Sequence, residues 1–489
     1  MSVRVRFAPS PTGYLHVGGL RTALYNYLFC KNKGGKFILR IEDTDRTRFV
    51  ENATEGLIEI LNWAGIKFDE GPHLGGDYGP YVQSERLEIY KKYANILIEN
   101  GYAYYAFDSS EEIEQMRKKL QDKGLNSKYD RKSMKNQFTL SDNEVKERIN
   151  SKEPYVVRLL VPDNYKVHFT DIIRGDVTVD SNEIDDQVLL KSDGYPTYHL
   201  ANVVDDYLMK ITHVIRGEEW LPSTPKHILL YEAFGWDKPQ FAHLPLLLNK
   251  DKSKLSKRQG DVAVEDYRKK GYFKEAIINF VALLGWNPSG EREIYDLQEL
   301  IDSFKLEKVN KGGAVFDIEK LNWMNFQYLI KKDTKELALE LLSILKDKGY
   351  TDFDIEYLEK VIRLHRERVT FLHQIPDFCP YMFNKPEKFD REYFEKHWKD
   401  FSLEVLKELK RKFSELENFN HDDLHKITND AATSRGLKLK DIIHTVRLVI
   451  TGRSAGAGMF ETMELLGKNE CLTRIQNFID SYEKNTLVF

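Results

Sequence analysis

Two loops of this chain carry residues suited to nucleotide chemistry. Residues 9–19 contain His16 and the glycines Gly18 and Gly19. Glycines let a flat base or ribose approach the backbone, and a following helix presents free N–H groups to phosphate. His16 can donate a hydrogen bond to a phosphate oxygen whose charge grows during displacement. The second loop, residues 250–258, is polar and rich in cations, as suits a mobile clamp over a triphosphate.

Each loop alone is also compatible with a tight turn or with an ordinary basic surface loop. The elements around the first loop favour a nucleotide site. Residues 4–7 alternate like a strand, apolar residues from Leu20 recur at helical spacing up to Gly34, and residues 36–41 form a compact apolar strand before Glu42. Strand, helix and strand at this spacing predict the crossover unit of a doubly wound parallel sheet. Ligands bind at the carboxyl ends of such strands, where both the first loop and Glu42 would lie.

The rest of the chain is organised differently. Residues 91–190 read as an α+β insertion between the catalytic halves 1–90 and 191–245, and residues 246–323 hold the second loop. From 324 to 489 the chain contains only 9 of its 44 glycines and prolines and many strong helix formers at amphipathic spacing. The predicted fold class is therefore α/β: a doubly wound parallel, Rossmann-type catalytic domain with an α+β insertion, followed by an all-α C-terminal domain.

Composition sets broad limits. The 489 residues are 41% hydrophobic and 31% charged, and the formal charge of −4 gives no hint of a nucleic-acid partner. No apolar run approaches the roughly 20 residues of a membrane span, and the N-terminus lacks a signal peptide's apolar core. Cys30, Cys379 and Cys471 lie far apart, which argues against a disulfide framework. We expect a cytoplasmic protein without a membrane partner.

The motifs are long enough to indicate a family. The first loop resembles the HIGH signature of class I aminoacyl-tRNA synthetases, and residues 254–258 resemble their KMSKS loop. Residues 6–13, 40–45, 192–201 and 214–220 resemble blocks of bacterial-type glutamyl-tRNA synthetases. The resemblance implies that L-glutamate reacts with ATP to give glutamyl-adenylate and pyrophosphate. The glutamyl group then passes to the 3′-terminal adenosine of tRNA(Glu).

The resemblance also implies site residues. Glutamate binding falls to Arg6, Ala8, Ser10, Glu42, Tyr198, Asn202 and Arg216. ATP binding falls to His16, Gly18, Gly19, Glu219, Leu247, Lys254, Ser256, Lys257 and Arg258, with His16, Lys254 and Lys257 catalytic. Arg368 matches an arginine linked to reading the anticodon. Mg²⁺ is expected to arrive with ATP. Some relatives carry a cysteine-rich zinc knuckle in the insertion, but residues 102–129 contain no cysteine, so we expect no structural zinc.

In this family the insertion binds the acceptor stem, residues 246–323 contact the tRNA stem, and residues 324–489 bind the anticodon. A monomer is the default expectation. Several alternatives stay open at this point. The enzyme could also charge tRNA(Gln), or the chain could be a glutaminyl enzyme, a truncated paralogue that modifies a tRNA base, a small-metabolite nucleotidyltransferase or a catalytically silent RNA-binding paralogue. A helical C-terminal third, two intact signature loops and Arg216 favour a glutamyl enzyme, and the presence of Arg368 favours one restricted to tRNA(Glu).

Overall fold

The protein is described by a computed structural model that covers residues 2–45, 47, 50–255, 263–350 and 353–489. The chain divides into two compact units, Met1–Leu321 and Asn322–Phe489. The strands are β1 (Arg4–Phe7), β2 (Lys36–Leu39), β3 (Ala103–Ala106), β4 (Val156–Leu159), β5 (Lys166–Asp171), β6 (Gly175–Asp180), β7 (Val188–Leu190), β8 (His213–Gly217), β9 (Gln240–Leu244), β10 (Leu247–Leu248) and β11 (Ala314–Val315).

The helices of the first unit are α1 (Val17–Asn32), α2 (Ala53–Trp63), α3 (Leu87–Glu99), α4 (Ser110–Asp122), α5 (Asp142–Asn150), α6 (Tyr198–Leu208), α7 (Thr224–Phe234), α8 (Val264–Lys269), α9 (Lys274–Ala282) and α10 (Leu297–Ser303). Helix α11 (Ile318–Lys331) spans the division between the units. The second unit continues with α12 (Thr334–Asp347), α13 (Ile355–His365), α14 (Ile375–Phe378), α15 (Arg391–His397), α16 (Ser402–Glu415), α17 (His421–Thr433), α18 (Leu439–Thr451), α19 (Met459–Leu466) and α20 (Lys468–Glu483).

A parallel sheet forms the base of the first unit. Strand β1 pairs in parallel with β2, and β8 pairs in parallel with β9. The two pairs adjoin, because the backbone N–H of Thr212 donates to the carbonyl of Arg4 at 2.9 Å. Helix α1 connects β1 to β2, as the strand–helix–strand pattern predicts. The doubly wound, Rossmann-type fold is confirmed.

The segment predicted as an insertion contributes to two different sheets. Strands β3, β4 and β7 form an antiparallel sheet of their own. Strands β5 and β6 form a hairpin, and β5 joins the edge of the catalytic sheet where Asp171 pairs in parallel with Phe241 of β9. This edge was not foreseen from the sequence. This pairing brings Asp171, at the end of β5, next to strand β9.

Helix α1 is buried on nearly all sides, so it behaves as a core helix rather than a surface one. Leu24 and Leu28 are fully buried, and full burial of a leucine side chain contributes roughly 1.5–3 kcal/mol. The Tyr25 hydroxyl donates to the carbonyls of Ala282 and Leu284, at 3.0 and 2.9 Å. These contacts hold the start of α1, and the loop before it, in one position against the sheet.

The second unit is helical throughout its described part, residues 322–350 and 353–489. In α16 the residues Val405, Leu406, Leu409 and Phe413 recur at helical spacing and are all buried. Asp333 and Asp354 cap α12 and α13 by accepting backbone N–H bonds. The predicted all-α C-terminal domain is confirmed. Across the residues that the structure describes, no helix has both the length and the apolar character to span a membrane.

Candidate active site

A cavity of about 780 Å³ opens at the carboxyl ends of β1 and β8. Its wall includes eleven of the residues that the sequence singled out: Arg6, Ala8, Ser10, His16, Gly18, Gly19, Glu42, Tyr198, Asn202, Arg216 and Glu219. These residues come from the first loop, the end of β2, the start of α6 and the end of β8. The sequence therefore predicted most of one connected site, although their chemical roles stay predictions.

The first loop ends in a capped helix. His16 is the N-cap of α1, and its Nδ1 accepts the backbone N–H of Gly18 at 2.9 Å. When the ring is neutral its proton then lies on Nε2, the nitrogen that remains able to donate. A Cβ on Gly19 would lie 2.8 Å from Leu15 Cδ1. A side chain at this position would therefore displace the end of the Leu15 side chain, whereas glycine lets Leu15 pack against the loop.

A buried network of ion pairs fills one side of the cavity. Arg6 donates to both carboxylate oxygens of Asp206, at 3.0 and 3.2 Å. Arg40 donates to Asp206 at 2.7 Å and to Glu42 at 2.9 Å. All four side chains are less than a tenth exposed. Two guanidinium groups and two carboxylates thus balance each other out of water, as buried charges require.

The network also shifts the acidity of its carboxyl groups. Burial raises the pKa of Glu42, and the charge of Arg40 offsets only part of that effect. Burial acts to raise the pKa of Asp206 as well, but the charges and hydrogen bonds of Arg6 and Arg40 outweigh it and hold that pKa below its ordinary value. Asp206 is therefore ionised at neutral pH and fixes the Arg6 guanidinium at the wall of the cavity.

Another part of the cavity wall is built around Arg216. Its Nη1 donates to the Tyr198 hydroxyl at 2.6 Å, and its Nε donates to His243 Nε2 at 3.0 Å. The Tyr198 ring lies against Trp220, with the ring centroids 4.4 Å apart. Burial raises the pKa of Tyr198, so the phenol stays protonated. Arg6 and Arg216 thus present two cations to one cavity, with Glu42 as the nearby anion.

The segment that follows the second loop meets the first loop through the backbone. Val264 N donates to Leu15 O at 2.9 Å, and His16 bridges to Ala263. Leu247 and Lys254 do not line the cavity: Leu247 is buried on β10 close to Gly18, and Lys254 is exposed in a bridge with Leu248. The predicted ATP contacts Ser256, Lys257 and Arg258 lie outside the described residues.

Several residues of the site were missed by the sequence argument. Arg40 stands in a block that was recognised but given no role, and Asp205 and Asp206 are a charged pair in α6, which is otherwise uncharged and largely buried. Buried charges in an apolar helix are a signal that was available. Arg368 lies in the second unit, exposed at the end of a short 3₁₀ helix, Arg366–Arg368. No group of three His, Cys, Asp or Glu residues that could hold a metal occurs within the described ranges.

Comparison with known families covers both units. Residues 2–323 match the family model described as tRNA synthetases class I (E and Q), catalytic domain. Residues 333–479 match the family model of an anticodon binding domain. Both the α/β unit and the helical unit therefore have recognised counterparts.

Comparison with individual proteins covers nearly the whole chain. A glutamate–tRNA ligase of Chloroherpeton thalassium is 50% identical over 495 residues, spanning 99% of this chain and 98% of the relative. One from Chlorobium phaeobacteroides is 50% identical over 492 residues, spanning 98% of each. The crystal structure of a glutamate tRNA ligase from Elizabethkingia meningosepticum, in complex with its amino acid, superposes with a TM-score of 0.94. It is 42% identical and covers 98% of this chain and 100% of that one.

Proposed function

The chain belongs to the class I glutamate–tRNA ligases, and from this premise we propose how its residues activate L-glutamate and restrict the product to tRNA(Glu). In the first step a carboxylate oxygen of glutamate attacks the α-phosphorus of ATP, and pyrophosphate leaves. In the second step the 3′-terminal ribose hydroxyl of the tRNA attacks the carbonyl carbon, and AMP leaves. The substrate supplies the nucleophile in both steps, so catalysis consists of positioning and charge stabilisation.

We assign the phosphates of ATP to the first loop and the start of α1. His16 Nε2 donates to the phosphoryl oxygens, because Nδ1 is held by the N–H of Gly18. The free N–H groups at the start of α1, together with the positive end of the helix dipole, also attract the phosphates. Mg²⁺ enters with the nucleotide, since it binds mainly through substrate phosphates. Lys254, Ser256, Lys257 and Arg258 remain the proposed clamp over the triphosphate, and Glu219 and Leu247 the proposed contacts to adenosine.

We assign the glutamate to the wall between the two arginines. Arg6, Tyr198 and Arg216 bind the carboxylates, Glu42 binds the ammonium group, and Ala8, Ser10 and Asn202 complete the pocket. This assignment rests on one observation: a single cavity is lined by two buried arginines, by the acidic Glu42 and by the loop whose His16 caps α1. A dicarboxylic amino acid next to a nucleotide matches that distribution of charge.

We further propose that the helical unit reads the tRNA(Glu) anticodon through Arg368. The exposed guanidinium at a helix end suits contact with a base or a phosphate. A non-discriminating enzyme that also charges tRNA(Gln), or a catalytically silent paralogue, is the rival. We expect the enzyme to act as a monomer in the cytoplasm.

Aminoacylation of purified transcripts tests this proposal. The chain is incubated with radiolabelled glutamate, MgATP and either tRNA(Glu) or tRNA(Gln). We expect acid-precipitable label on tRNA(Glu) alone. Label on both transcripts would favour the non-discriminating enzyme, and label on neither would favour the silent paralogue.

A further inference from the structure

The guanidinium of Arg216 is held entirely by neutral acceptors. Besides Tyr198 and His243, its Nη2 donates to the Thr224 hydroxyl at 2.9 Å, and its Nη1 lies 3.5 Å from His227 Nδ1. No carboxylate of the described chain lies within 4.0 Å of Arg216, although the side chain is 5% exposed. Because no protein carboxylate neutralises this buried arginine, its positive charge is available to pair with an anionic ligand.

Arg6, which also lines the cavity, is arranged in a different way. Both of its bonded nitrogens are taken by the Asp206 carboxylate. Its charge is therefore compensated before any substrate arrives, whereas that of Arg216 is not. The two arginines cannot contribute equally to the choice between a carboxylate and an uncharged amide.

His243 determines where one edge of the Arg216 guanidinium lies. The imidazole is fully buried on β9 and does not line the cavity. Arginine can only donate, so His243 Nε2 must accept from Arg216 Nε and the imidazole proton must lie on Nδ1. Burial lowers the pKa of His243, which keeps the ring neutral as this geometry requires.

Asp171 fixes that tautomer from behind. Its Oδ2 lies 2.6 Å from His243 Nδ1, and its Oδ1 accepts the backbone N–H groups of Ile173 and Arg174 at 3.0 and 2.8 Å. Burial acts to raise the pKa of Asp171, but the hydrogen bonds from His243 and Arg174 outweigh it and leave that pKa below its ordinary value. The ionised Asp171 carboxylate thus accepts the His243 Nδ1–H. The imidazole of His243 separates the charge of this carboxylate from Arg216.

We propose that Asp171 and His243 are positioning residues that aim the Arg216 guanidinium at the side-chain carboxylate of the substrate, and that they set the preference for an acid over its amide. This inference rests on the proposed glutamate pocket. The interposed neutral ring orients the guanidinium without neutralising it, which a carboxylate in direct contact would do. The hydrogen bonds that link Asp171 on β5 through His243 on β9 to Arg216 on β8 would then set amino-acid specificity from outside the cavity.

Replacing Asp171 by asparagine reverses the hydrogen-bond polarity with almost no change in shape. The amide oxygen can keep the N–H groups of Ile173 and Arg174, which turns the amide N–H toward His243 Nδ1. His243 must then carry its proton on Nε2, where it faces the N–H of Arg216. Two donors oppose each other, so the guanidinium has to turn away from the cavity.

The test is the steady-state kinetics of aminoacylation by the full chain with tRNA(Glu). For Asp171→Asn we expect the KM for glutamate to rise roughly 10–100-fold, the range found for residues that orient a metal-binding side chain through a hydrogen bond. The KM for ATP should stay unchanged. The ratio of kcat/KM for glutamate to that for glutamine should fall by a similar factor.

Two further variants separate positioning from structural support. His243→Gln places an amide oxygen near the position of Nε2 and should retain more glutamate affinity than His243→Asn, whose oxygen cannot reach. Asp186→Asn is the matched control, because Asp186 is also buried in the inserted segment, where it accepts from the Tyr104 hydroxyl at 2.6 Å, and it makes no contact with Arg216. Asp186→Asn should leave the KM for glutamate at the wild-type value.

The outcomes are distinct. A wild-type enzyme that charges tRNA(Glu), with an Asp171→Asn variant indistinguishable from Asp186→Asn, would overturn this inference alone. So would a loss in kcat with both KM values unchanged, or an equal loss in His243→Gln and His243→Asn. A wild-type chain that attaches no glutamate would refute the proposed function and this inference with it.

Discussion

The charge network under the cavity predicts a large loss of stability when Asp206 becomes asparagine. Asp206 accepts three hydrogen bonds from Arg6 and Arg40, and all three side chains are at most 3% exposed. The asparagine side chain keeps the size and one acceptor but points an N–H group at a guanidinium. Removing one partner of a buried ion pair costs about 3–5 kcal/mol, because the other charge is left uncompensated.

The structure places this variant at the lower end of that range. Arg40 keeps Glu42 at 2.9 Å, and Asp205 Oδ2 lies 3.8 Å from its Nε. We therefore expect a loss of about 3 kcal/mol in the free energy of unfolding of the first unit. The control is Glu88→Gln, which removes the surface pair with Lys91, whose side chains are 86% and 45% exposed. That pair should contribute at most about 0.5 kcal/mol.

The assay must follow the first unit alone, since two units need not unfold together. Hydrogen exchange during a urea titration, read on peptides that contain β1, β2 and α6, gives the unfolding free energy where the network lies. If Asp206→Asn lowers the free energy of unfolding by no more than Glu88→Gln does, then the buried arginines do not depend on Asp206 for charge compensation and this reasoning is refuted.

Three other predictions follow from the geometry. His16→Asn keeps an acceptor for the Gly18 N–H but lacks Nε2, so kcat for glutamate activation should fall about 10²–10³-fold while the melting temperature stays unchanged; an equal loss of stability would assign His16 a structural role only. The pKa of Asp206 in the folded state lies below 3.8, so the stability that its ionised form contributes is present above that pH and is lost as pH falls through the folded pKa. The pKa of Glu42 lies above 4.5, so its effect on stability has the opposite sign: the contribution is lost as pH rises. The stability gap between wild type and Asp206→Asn, measured by urea titration, should therefore narrow below pH 3.8 and would contradict the assignment if it widened. Arg368→Ala should reduce charging of tRNA(Glu) relative to tRNA(Gln) in a competition assay without changing the KM for glutamate, and an unchanged ratio would remove Arg368 from anticodon reading.

The sequence predicted the site best where its residues follow local elements. His16, Gly18 and Gly19 join a strand to a helix, and Glu42 follows the next strand, so a parallel sheet places them at one edge. Tyr198 and Arg216 came from motif resemblance, and the structure brings them within 2.6 Å. Short-range pattern and a recognised motif were sufficient for these positions.

The residues that support the site could not be found in the same way. Asp171 and His243 are 72 residues apart and meet only because β5 pairs in parallel with β9. No periodicity in either segment encodes that register. Asp206 is likewise 200 residues from Arg6, so their pairing depends on the tertiary fold that brings the end of α6 to β1.

ATP–pyrophosphate exchange shows whether this chain activates glutamate. The chain is assayed with glutamate and with glutamine, each with and without tRNA(Glu). We expect exchange with glutamate in the presence of tRNA and none with glutamine. Exchange with glutamine alone, or no exchange under any of the four conditions, would contradict this expectation.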